Sequence, residues 1–436
     1  MLVIPECLYR GYGFCLKRTR FPLKSAAGMT EKKEMIMNIE KIFETRRFHL
    51  IAGLLIALAA LLVYSNTFHA SFHFDDTPQI VENYQIRNLD NLLDILKGQR
   101  GLTMATFAIN YAIGGLNVVG YHIVNLAIHI MNGIMVYFLV FITLRGILGT
   151  DLKSTPKAKR IAIYTALLFA VHPIQTQAVT YIVQRMEILA SMFMLIALLL
   201  FIKAVKTSMI TLRIFLYGTI AVSYMLGFYS KEIAITLPAL VFLYDYCFLA
   251  EGDFKKIMAH MPLYFVLLTM LAFFTTRTLT GLQETPGESA SAGFSVQSIT
   301  SNEYLFTQFN VLWTYLRLLI LPINQNLDYD YPVAKSIFEF PTFLSFVGIL
   351  LILISAFYLL TPYASRFTHY GRLIAFFILW FFIILSPTSS FIPIIDVIFE
   401  HRLYLASVGF FLLFSLAFDT IFERFGKSRN SEKNAG

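Results

Sequence analysis

The sequence predicts an all-α polytopic membrane protein, a bundle of about 10–11 transmembrane helices. Of its 436 residues, 57% are hydrophobic and only 14% are charged, and the mean hydropathy is +0.65. This composition is typical of integral membrane proteins. Apolar runs long enough to cross about 30 Å of hydrocarbon recur along nearly the whole chain. They predict ten spans, at about 49–68, 123–144, 161–176, 186–204, 213–229, 233–249, 261–276, 340–361, 371–388 and 402–421.

The distribution of basic residues predicts the topology. With the N-terminus in the cytoplasm, the excess of Lys and Arg falls on the inner side, as the positive-inside rule requires. The formal net charge of +8 therefore reflects topology, and we expect no nucleic-acid partner. An eleventh apolar stretch, 306–321, is predicted to be re-entrant or to lie on the surface. If it crossed, the basic C-terminal tail would lie outside, so this assignment keeps both termini in the cytoplasm.

Three segments are predicted along the chain. Residues 1–47 form a basic cytoplasmic tail, 48–422 a transmembrane domain, and 423–436 a second basic tail. The first tail lacks the apolar core of a signal peptide. Its methionines leave the true start open, since translation could begin at Met29, Met35 or Met37. The three cysteines have neither metal-binding nor redox spacing.

Two outer segments are long. The first, 69–118, contains two helical apolar stripes, which predict two amphipathic helices lying on the membrane interface. The second, 277–339, begins with a Gly/Ser/Thr-rich loop and ends in a Tyr- and Asp-rich stretch. A loop of this length can cover a substrate groove.

An adjacent pair of carboxylates, Asp75 and Asp76, follows the first predicted span. Paired acids beside a span indicate contact with water, a substrate or a cation. Because like charges repel, one of the two is expected to have a raised pKa, as a general base requires. For the pair taken alone, the alternative is a solvated helix end.

Other polar residues unusual for a membrane chain are predicted to lie on the same outer side. The inner clusters are simple Lys/Arg runs, whereas the outer ones mix acids, histidines and cations. Such a mixed constellation at the membrane edge indicates a functional site. Its further members are Arg100, His122, Asn125, His172, Arg185, Glu187, Lys231, Glu232, Glu400, His401 and Arg402.

The order of these motifs resembles the GT-C class of membrane glycosyltransferases. More closely, the chain resembles the membrane half of the transmembrane and TPR-repeat-containing O-mannosyltransferase family, without its TPR repeats. Two positions depart from the family pattern: Gly101 replaces a proline and Gln177 replaces a usual glutamate. The matching motifs are Phe74-Asp75-Asp76, Arg100-Gly101-Leu102-Thr103, Gly120-Tyr121-His122, His172-Pro173, Arg185-Met186-Glu187, Lys231-Glu232 and Glu400-His401-Arg402-Leu403-Tyr404-Leu405.

The resemblance implies a transferase that takes a sugar from a polyprenyl-phosphate donor. Asp75 is then the candidate base, and Asp76 would hold the acceptor or a cation. Candidates for holding the donor phosphate are Arg185, Lys231, His401 and Arg402. The alternative for these basic residues is anchoring to lipid headgroups. Candidates for orienting substrate are Arg100, His122, Asn125, His172, Glu187, Glu232 and Glu400.

No cofactor is predicted with certainty, and a divalent metal stays open. Asp76 is a candidate ligand, and Asp328-x-Asp330 has suitable spacing but is also typical of plain surface. The expected partners are a polyprenyl-phosphate-linked sugar, an acceptor protein or glycan, and the lipid bilayer. The expected location is a prokaryotic cytoplasmic membrane, with the site facing outward.

Two other functions agree with the same sequence. A transporter or flippase for lipid-linked sugars would show many spans, but also internal repeats and polar residues at mid-membrane. A non-catalytic assembly partner would bind a glycan or protein and tolerate loss of Asp75. The working hypothesis is an inverting glycosyltransferase.

Overall fold

The structure, a computed structural model, describes residues 46–149, 154–284, 292–361 and 370–435. Within these ranges all regular structure is helical, and the sole extended pairing is an isolated bridge between Ala292 and Ile394. The all-α fold class is therefore confirmed. Of the predicted tail 1–47, only the last two residues are described. The chain divides into a first unit, Met1–Phe48, and a second, His49–Gly436, which contains the features discussed below.

The described residues contain fifteen α-helices. In chain order they are α1 (Arg46–Tyr64), α2 (Leu92–Lys97), α3 (Gly101–Gly114), α4 (Val118–Leu148), α5 (Ser154–Val171), α6 (Thr176–Thr180), α7 (Arg185–Lys206), α8 (Ile210–Ser230), α9 (Leu237–Tyr244), α10 (Phe254–Met258), α11 (Met261–Glu284), α12 (Ser301–Ile320), α13 (Phe340–Leu360), α14 (Gly371–Leu385) and α15 (Leu403–Ala435). Short 3-10 or π segments join them at Ser65–Thr67, Thr77–Val81, Tyr84–Arg87, Leu89–Asn91, Pro173–Gln175, Ile182–Gln184, Glu232–Thr236, Asp245–Leu249 and Glu400–Arg402.

Eight helices of the described chain are long and apolar enough to cross a membrane, so the protein is an integral membrane protein. Each coincides with a predicted span. They are Arg47–Thr67, Val118–Leu148, Ile182–Lys206, Ile210–Ser230, Glu232–Leu249, Met261–Thr280, Phe340–Leu360 and Glu400–Arg424.

The other two predicted spans, 161–176 and 371–388, are helical but fall short of the same length and composition. Helix α5 ends at Val171 and carries three basic residues in its first turns. Helix α14 has only 15 residues and ends two residues before Pro387, which lacks the N–H needed to continue a helix. Within the described ranges, eight of the ten predicted spans therefore coincide with helices of the length and composition that cross a membrane.

The first long loop differs from the prediction of two regular helices. Its second helix is present as α3, whereas the first is broken into two 3-10 turns and the short α2. The side chains of Asn83 and Asn88 accept hydrogen bonds from backbone N–H groups two residues ahead. Asparagine in this role starts a new turn and interrupts a continuous helix.

Helix α12 covers the stretch 306–321 that was set apart in the sequence. A capping box between Thr300 and Glu303 starts it. Its buried face donates to the segment that precedes Glu400: Gln308 Nε2 to the Val397 carbonyl at 2.9 Å, and the Tyr315 hydroxyl to the Phe399 carbonyl at 2.9 Å. The helix thus supports the last motif of the candidate site.

The long helices form a row of packed neighbours, α8–α7–α4–α5–α15–α14–α13. Helix α13 is buried over only 11% of its apolar window, against 61% for the span that contains α7. The central helices therefore meet other helices, and α13 offers its apolar surface to lipid. Helices α1, α5 and α8 finish at one end of the bundle, and helices α4, α7 and α15 begin there. The polar residues that the sequence predicts to form the site lie at this end.

Candidate functional site

Asp75 and Asp76 have different surroundings although they are adjacent. Asp75 is exposed, and its backbone N–H donates to the Tyr181 hydroxyl at 2.8 Å. Asp76 is buried, and its carboxylate accepts from the backbone N–H groups of Val183, at 2.7 Å, and His73, at 3.1 Å. Asp76 therefore holds the first loop against the segment leading into α7, which leaves Asp75 at the surface of the site.

Burial raises the pKa of Asp76 to about 6, against the two backbone N–H bonds that favour its charged form. The charge of Asp75 raises it further, but is the smallest contribution. One member of the pair thus has a raised pKa, as expected. The main cause is desolvation, whereas the sequence argument invoked repulsion between the two acids.

Arg185 is fully buried at the start of α7 and joins three helices. Its Nε donates to Asn125 Oδ1 at 2.7 Å, and its terminal nitrogens to Asn110 Oδ1 at 2.6 Å and the Tyr121 carbonyl at 3.0 Å. The guanidinium also lies 4.5 Å from the ring centroid of Phe107. With its donors used inside the protein, Arg185 is placed to position other residues.

Two ion pairs connect the neighbouring turns. Arg100 Nη2 lies 3.0 Å from Glu232 Oε2, and Lys231 Nζ lies 2.8 Å from Glu187 Oε2. Lys231 also donates to Gln184 Oε1 at 3.1 Å. The Glu232 carboxylate is the main reason that the pKa of Arg100 is raised. Both cations therefore have a carboxylate partner before any substrate arrives.

Arg402 differs from these cations. It is buried, and its two terminal nitrogens donate to backbone carbonyls, Val397 at 3.1 Å and Asp396 at 2.7 Å. Among the ion pairs of the described residues, none involves Arg402. Its charge is therefore met at hydrogen-bond distance by backbone dipoles, while the Asp396 carboxylate acts on it without forming an ion pair. The charges of Lys231, Arg402 and Arg100 all act on His401, so the three cations lie within electrostatic range of that residue.

Glu400 fixes the loop that follows α12. Its Oε1 accepts from the Asn326 N–H at 2.9 Å and the Tyr329 hydroxyl at 2.5 Å, and its Oε2 from Gln325 Nε2 at 2.6 Å. All three donors are neutral. Glu400 thus acts as an acceptor that draws the 324–331 loop over the end of the bundle.

Gln177, which departs from the family pattern, bridges this loop and the last motif. Its Oε1 accepts from the His401 N–H at 2.6 Å, and its Nε2 donates to the Leu327 carbonyl at 3.0 Å. An ionised glutamate could accept in the same way but could not donate to a carbonyl. The amide at this position therefore matches its two neighbours.

Three other predicted residues have structural partners. His122 Nε2 lies 2.9 Å from the Ala70 carbonyl, which ties the end of the first span to α4. Asn125 holds Arg185 through its oxygen and donates through its nitrogen to the carbonyls of Val179 in α6 and Ile182 before α7. His172 Nδ1 accepts from the Ile174 N–H at 3.2 Å, so it caps the turn that Pro173 starts.

A cavity of about 260 Å³ opens beside these residues. Its walls come from four separate parts of the chain: the segment after α1, α6 with the residue after it, the 324–331 loop, and the turn before α15. The structure therefore brings the first acidic motif and the last motif to one space. Residues on its walls include Asp76, Gln177, Thr180, Tyr181, Asn326 and Glu400.

Metal binding is not supported by a ready ligand set. Within the described ranges no group of three or more His, Cys, Asp or Glu side chains is arranged to hold an ion. Both oxygens of Asp76 already accept backbone hydrogen bonds.

Several residues around the cavity were not singled out in the sequence: Thr180, Tyr181, Gln325, Asn326 and Tyr329. Ordinary polar residues in turns carry no signal of their own. The one available signal for the loop was its Tyr- and Asp-rich composition at 326–331, which is equally typical of surface.

Comparisons with known proteins agree with the motifs. The chain is 29% identical over 223 residues to protein O-mannosyl-transferase Tmtc3 of Drosophila melanogaster, covering 45% of the chain and 24% of that protein. It is 31% identical over 179 residues to human protein O-mannosyl-transferase TMTC4, covering 36% and 24%. It is 26% identical over 386 residues to protein O-mannosyl-transferase F38B6.6 of Caenorhabditis elegans, covering 84% and 51%.

No family model and no solved structure matches the chain. The chain spans about half the length of the worm relative, and its matches cover about a quarter of the other two. The expected resemblance to the membrane half of the TMTC O-mannosyl-transferases is confirmed at this moderate level of identity.

Proposed function

We propose that the protein is a membrane glycosyltransferase that moves a sugar from a polyprenyl-phosphate donor to a protein or glycan hydroxyl. The observation that carries the proposal is the exposed Asp75, which is adjacent to the cavity-lining Asp76 and acts electrostatically on the Arg100 guanidinium. An acid near a cation suits a reaction that removes a proton and releases a phosphate. The names of the relatives, O-mannosyl-transferases, support the same reaction class.

In this reaction Asp75 takes the proton of the acceptor hydroxyl while that oxygen bonds to the anomeric carbon. The bond between this carbon and the phosphate oxygen breaks, and its electron pair leaves with the polyprenyl phosphate. Attack from the face opposite the leaving group inverts the anomeric configuration. Asp75 suits the base role because it is exposed, whereas both oxygens of Asp76 hold backbone.

Arg402 is a candidate for holding the departing phosphate, because it forms no ion pair among the described residues, although two of its donors are held by backbone carbonyls. A guanidinium keeps its charge at any working pH and can pair with two phosphate oxygens. Arg100 and Lys231 would add to the field, although each is shared with an acid. Arg185 supports the site indirectly, because its hydrogen bonds to Asn110 and Asn125 tie the start of α7 to α3 and α4.

The positive-inside rule supports an orientation in which both termini are cytoplasmic and Asp75 faces outward. Labelling of single cysteines by an impermeant reagent in whole cells tests this. A cysteine at Asp90 should react from outside, and one at Thr207, between α7 and α8, should not. The reverse pattern would overturn the orientation.

The base role is tested with purified protein, a polyprenyl-phosphate sugar and a panel of acceptors. Asp75→Asn should lower the turnover number by roughly 10²- to 10⁴-fold, because the amide cannot take a proton. Asp94→Asn, an exposed acid of the same loop that pairs only with Lys97, is the matched control and should keep full activity. Full turnover by Asp75→Asn would remove the catalytic assignment.

The phosphate role is tested with Arg402→Gln in the same assay. The KM for the donor should rise while that for the acceptor changes little, because the lost interaction is with phosphate. An unchanged donor KM would refute this role for Arg402.

A further inference from the structure

The loop between the spans Glu232–Leu249 and Met261–Thr280 lies at the end of the bundle away from the candidate site. Glu232, which opens the first of these spans, pairs with an arginine of the first long loop. Arg277, near the finish of the second span, donates to the Lys97 carbonyl of the same long loop at 2.7 Å. Both spans therefore meet the site at one end, and the short loop joins their other ends close to the opposite membrane surface.

Helix α10 occupies this loop and has two different sides. Ile257 is buried against the protein, whereas Phe254 and Met258 are 65% and 63% exposed. Because successive residues of a helix are about 100° apart, Phe254 and Met258 point within about 40° of each other, and Lys256 points to the opposite side. An exposed apolar pair with a lysine across the helix is typical of a helix that lies in a lipid–water interface.

A guanidinium and a phenol hydroxyl meet beside the glycine that precedes α10. A Cβ at Gly252 would lie 3.6 Å from Arg372 Nη2 and 3.8 Å from the Tyr246 hydroxyl oxygen, so no side chain at this position separates the two groups. Both side chains are partly exposed, and among the described residues neither polar group has a hydrogen-bond or ion-pair partner. Two free donors therefore border one small space.

The charge around this space is mainly positive. No ion pair of the described chain involves Lys255, Lys256 or Arg372. Glu251 and Asp253 are exposed acids of the same loop and offset part of this charge, and Asp253 also accepts from the Lys255 N–H at 2.9 Å. Selectivity for an anion therefore depends on the two donors beside Gly252 more than on net charge. A guanidinium can pair with two phosphate oxygens.

We propose that this loop binds the headgroup of an anionic phospholipid in the leaflet away from the candidate site. The lipid phosphate lies between Arg372 and Tyr246, and Phe254 and Met258 lie among the acyl chains. A lipid fits better than a free phosphate, because only a lipid also covers the exposed apolar pair. The inference goes beyond the proposed transfer reaction and does not depend on it.

The choice of ligand is tested by native mass spectrometry of the purified full chain in detergent. The protein is titrated with phosphatidylglycerol and with phosphatidylcholine of the same acyl chains, and inorganic phosphate is the competing anion. Phosphatidylglycerol should bind at least about fivefold more tightly than phosphatidylcholine, and phosphate should not displace it. Equal affinity for the two lipids, or displacement by phosphate at matched ionic strength, would overturn the proposal.

Arg372→Gln then tests the position of the phosphate. It removes one cation near the membrane surface, so the dissociation constant for phosphatidylglycerol should rise about fivefold. Lys335→Gln, which removes an exposed cation from another loop, is the matched control and should bind as the parent does. Tyr246→Phe removes a single hydroxyl, should weaken binding to a smaller degree, and serves as a second variant should Arg372→Gln be poorly folded. Unchanged affinity in both Arg372→Gln and Tyr246→Phe would refute this site.

The position of α10 in the interface is tested by spin labels at Met258→Cys and Lys256→Cys, in a chain whose three native cysteines are replaced. In phosphatidylglycerol vesicles, the label at 258 should be more accessible to oxygen than to a water-soluble nickel chelate, because it lies among acyl chains. The label at 256 should show the reverse. The same accessibility at both positions would contradict an interfacial α10 and overturn the proposal.

Discussion

The exposure and the hydrogen bonds of single side chains at this site depend on parts of the chain that are distant in sequence. Asp75 and Asp76 are neighbours in sequence, and their pairing indicated an acid with a raised pKa. Which of the two would be buried could not be predicted, because burial of Asp76 depends on the backbone of Val183, more than a hundred residues away. The same holds for Gln177, whose amide is explained only by the groups at both of its ends.

The pKa of Asp76 predicts how stability depends on pH. The group titrates near 3.8 when unfolded and near 6 when folded, so the folded protein binds the proton more tightly. Its contribution to the free energy of unfolding is therefore fully present below about pH 4 and is lost as the pH rises to about 6. Above that pH the contribution changes no further. This difference in the pKa of Asp76 between the two states corresponds to about 3 kcal/mol of folding free energy.

The measurement is the thermal midpoint in detergent between pH 4 and pH 7, for the parent and for Asp76→Asn. The variant should lack the part of the decline that this group causes, and Asp94→Asn, an exposed acid, should retain it. An identical pH profile in the parent and Asp76→Asn would contradict the assignment of this titration to Asp76.

Helices and turns were predicted to different degrees. All eight apolar spans were predicted, because a run of apolar residues is a strong local signal. The first interfacial helix was predicted as continuous, but Asn83 and Asn88 divide it by capping new turns. The contacts that join α12 to the segment before Glu400 link residues about 84 to 89 positions apart, and no local pattern encodes them.

The turn between α2 and α3 depends on a glycine. A Cβ at Gly101 would lie 2.4 Å from the Ile95 carbonyl oxygen and 2.5 Å from that of Leu96, and both are backbone atoms that cannot rotate away. Arg100, directly before it, has a left-handed backbone with a φ of 55° and forms the ion pair with Glu232. The proline expected here from the family pattern also carries a Cβ. Glycine is therefore the residue that permits the close approach of α3 to the backbone of α2.

Gly101→Ala should therefore lower the free energy of unfolding by about 1–3 kcal/mol, the usual cost of overpacking. It should also weaken any activity that depends on Arg100. Gly114→Ala is the control at the other end of α3, where the nearest atom to an added Cβ is 4.0 Å away. It should be neutral or stabilise slightly. Equal stability of the two variants, measured by unfolding in mixed micelles, would disprove the steric argument.

In the molecule as a whole, the candidate site is supported at one end of the bundle by buried polar links between helices. Arg185 connects α7 to α3 and α4, and at the opposite end of α15 the buried Asp419 pairs with Arg160 at 2.7 Å. These links hold the helices in register at both ends. A lipid environment supplies no hydrophobic force to do so, because it is as apolar as the helix surfaces.

Arg185→Lys distinguishes this supporting role from phosphate binding. Lysine keeps the charge but is a point donor without the planar fork, so several acceptors around Arg185 would lose their partner. Breaking such a buried network costs about 3–5 kcal/mol, so the variant should unfold more readily in mixed micelles. Arg277→Lys is the matched control, because its two donated bonds lie nearer the surface, and it should change stability little. The opposite result would be a variant as stable as the parent with a raised KM for the donor. Because a lost substrate contact raises the KM without destabilising the fold, that result would assign phosphate binding to Arg185.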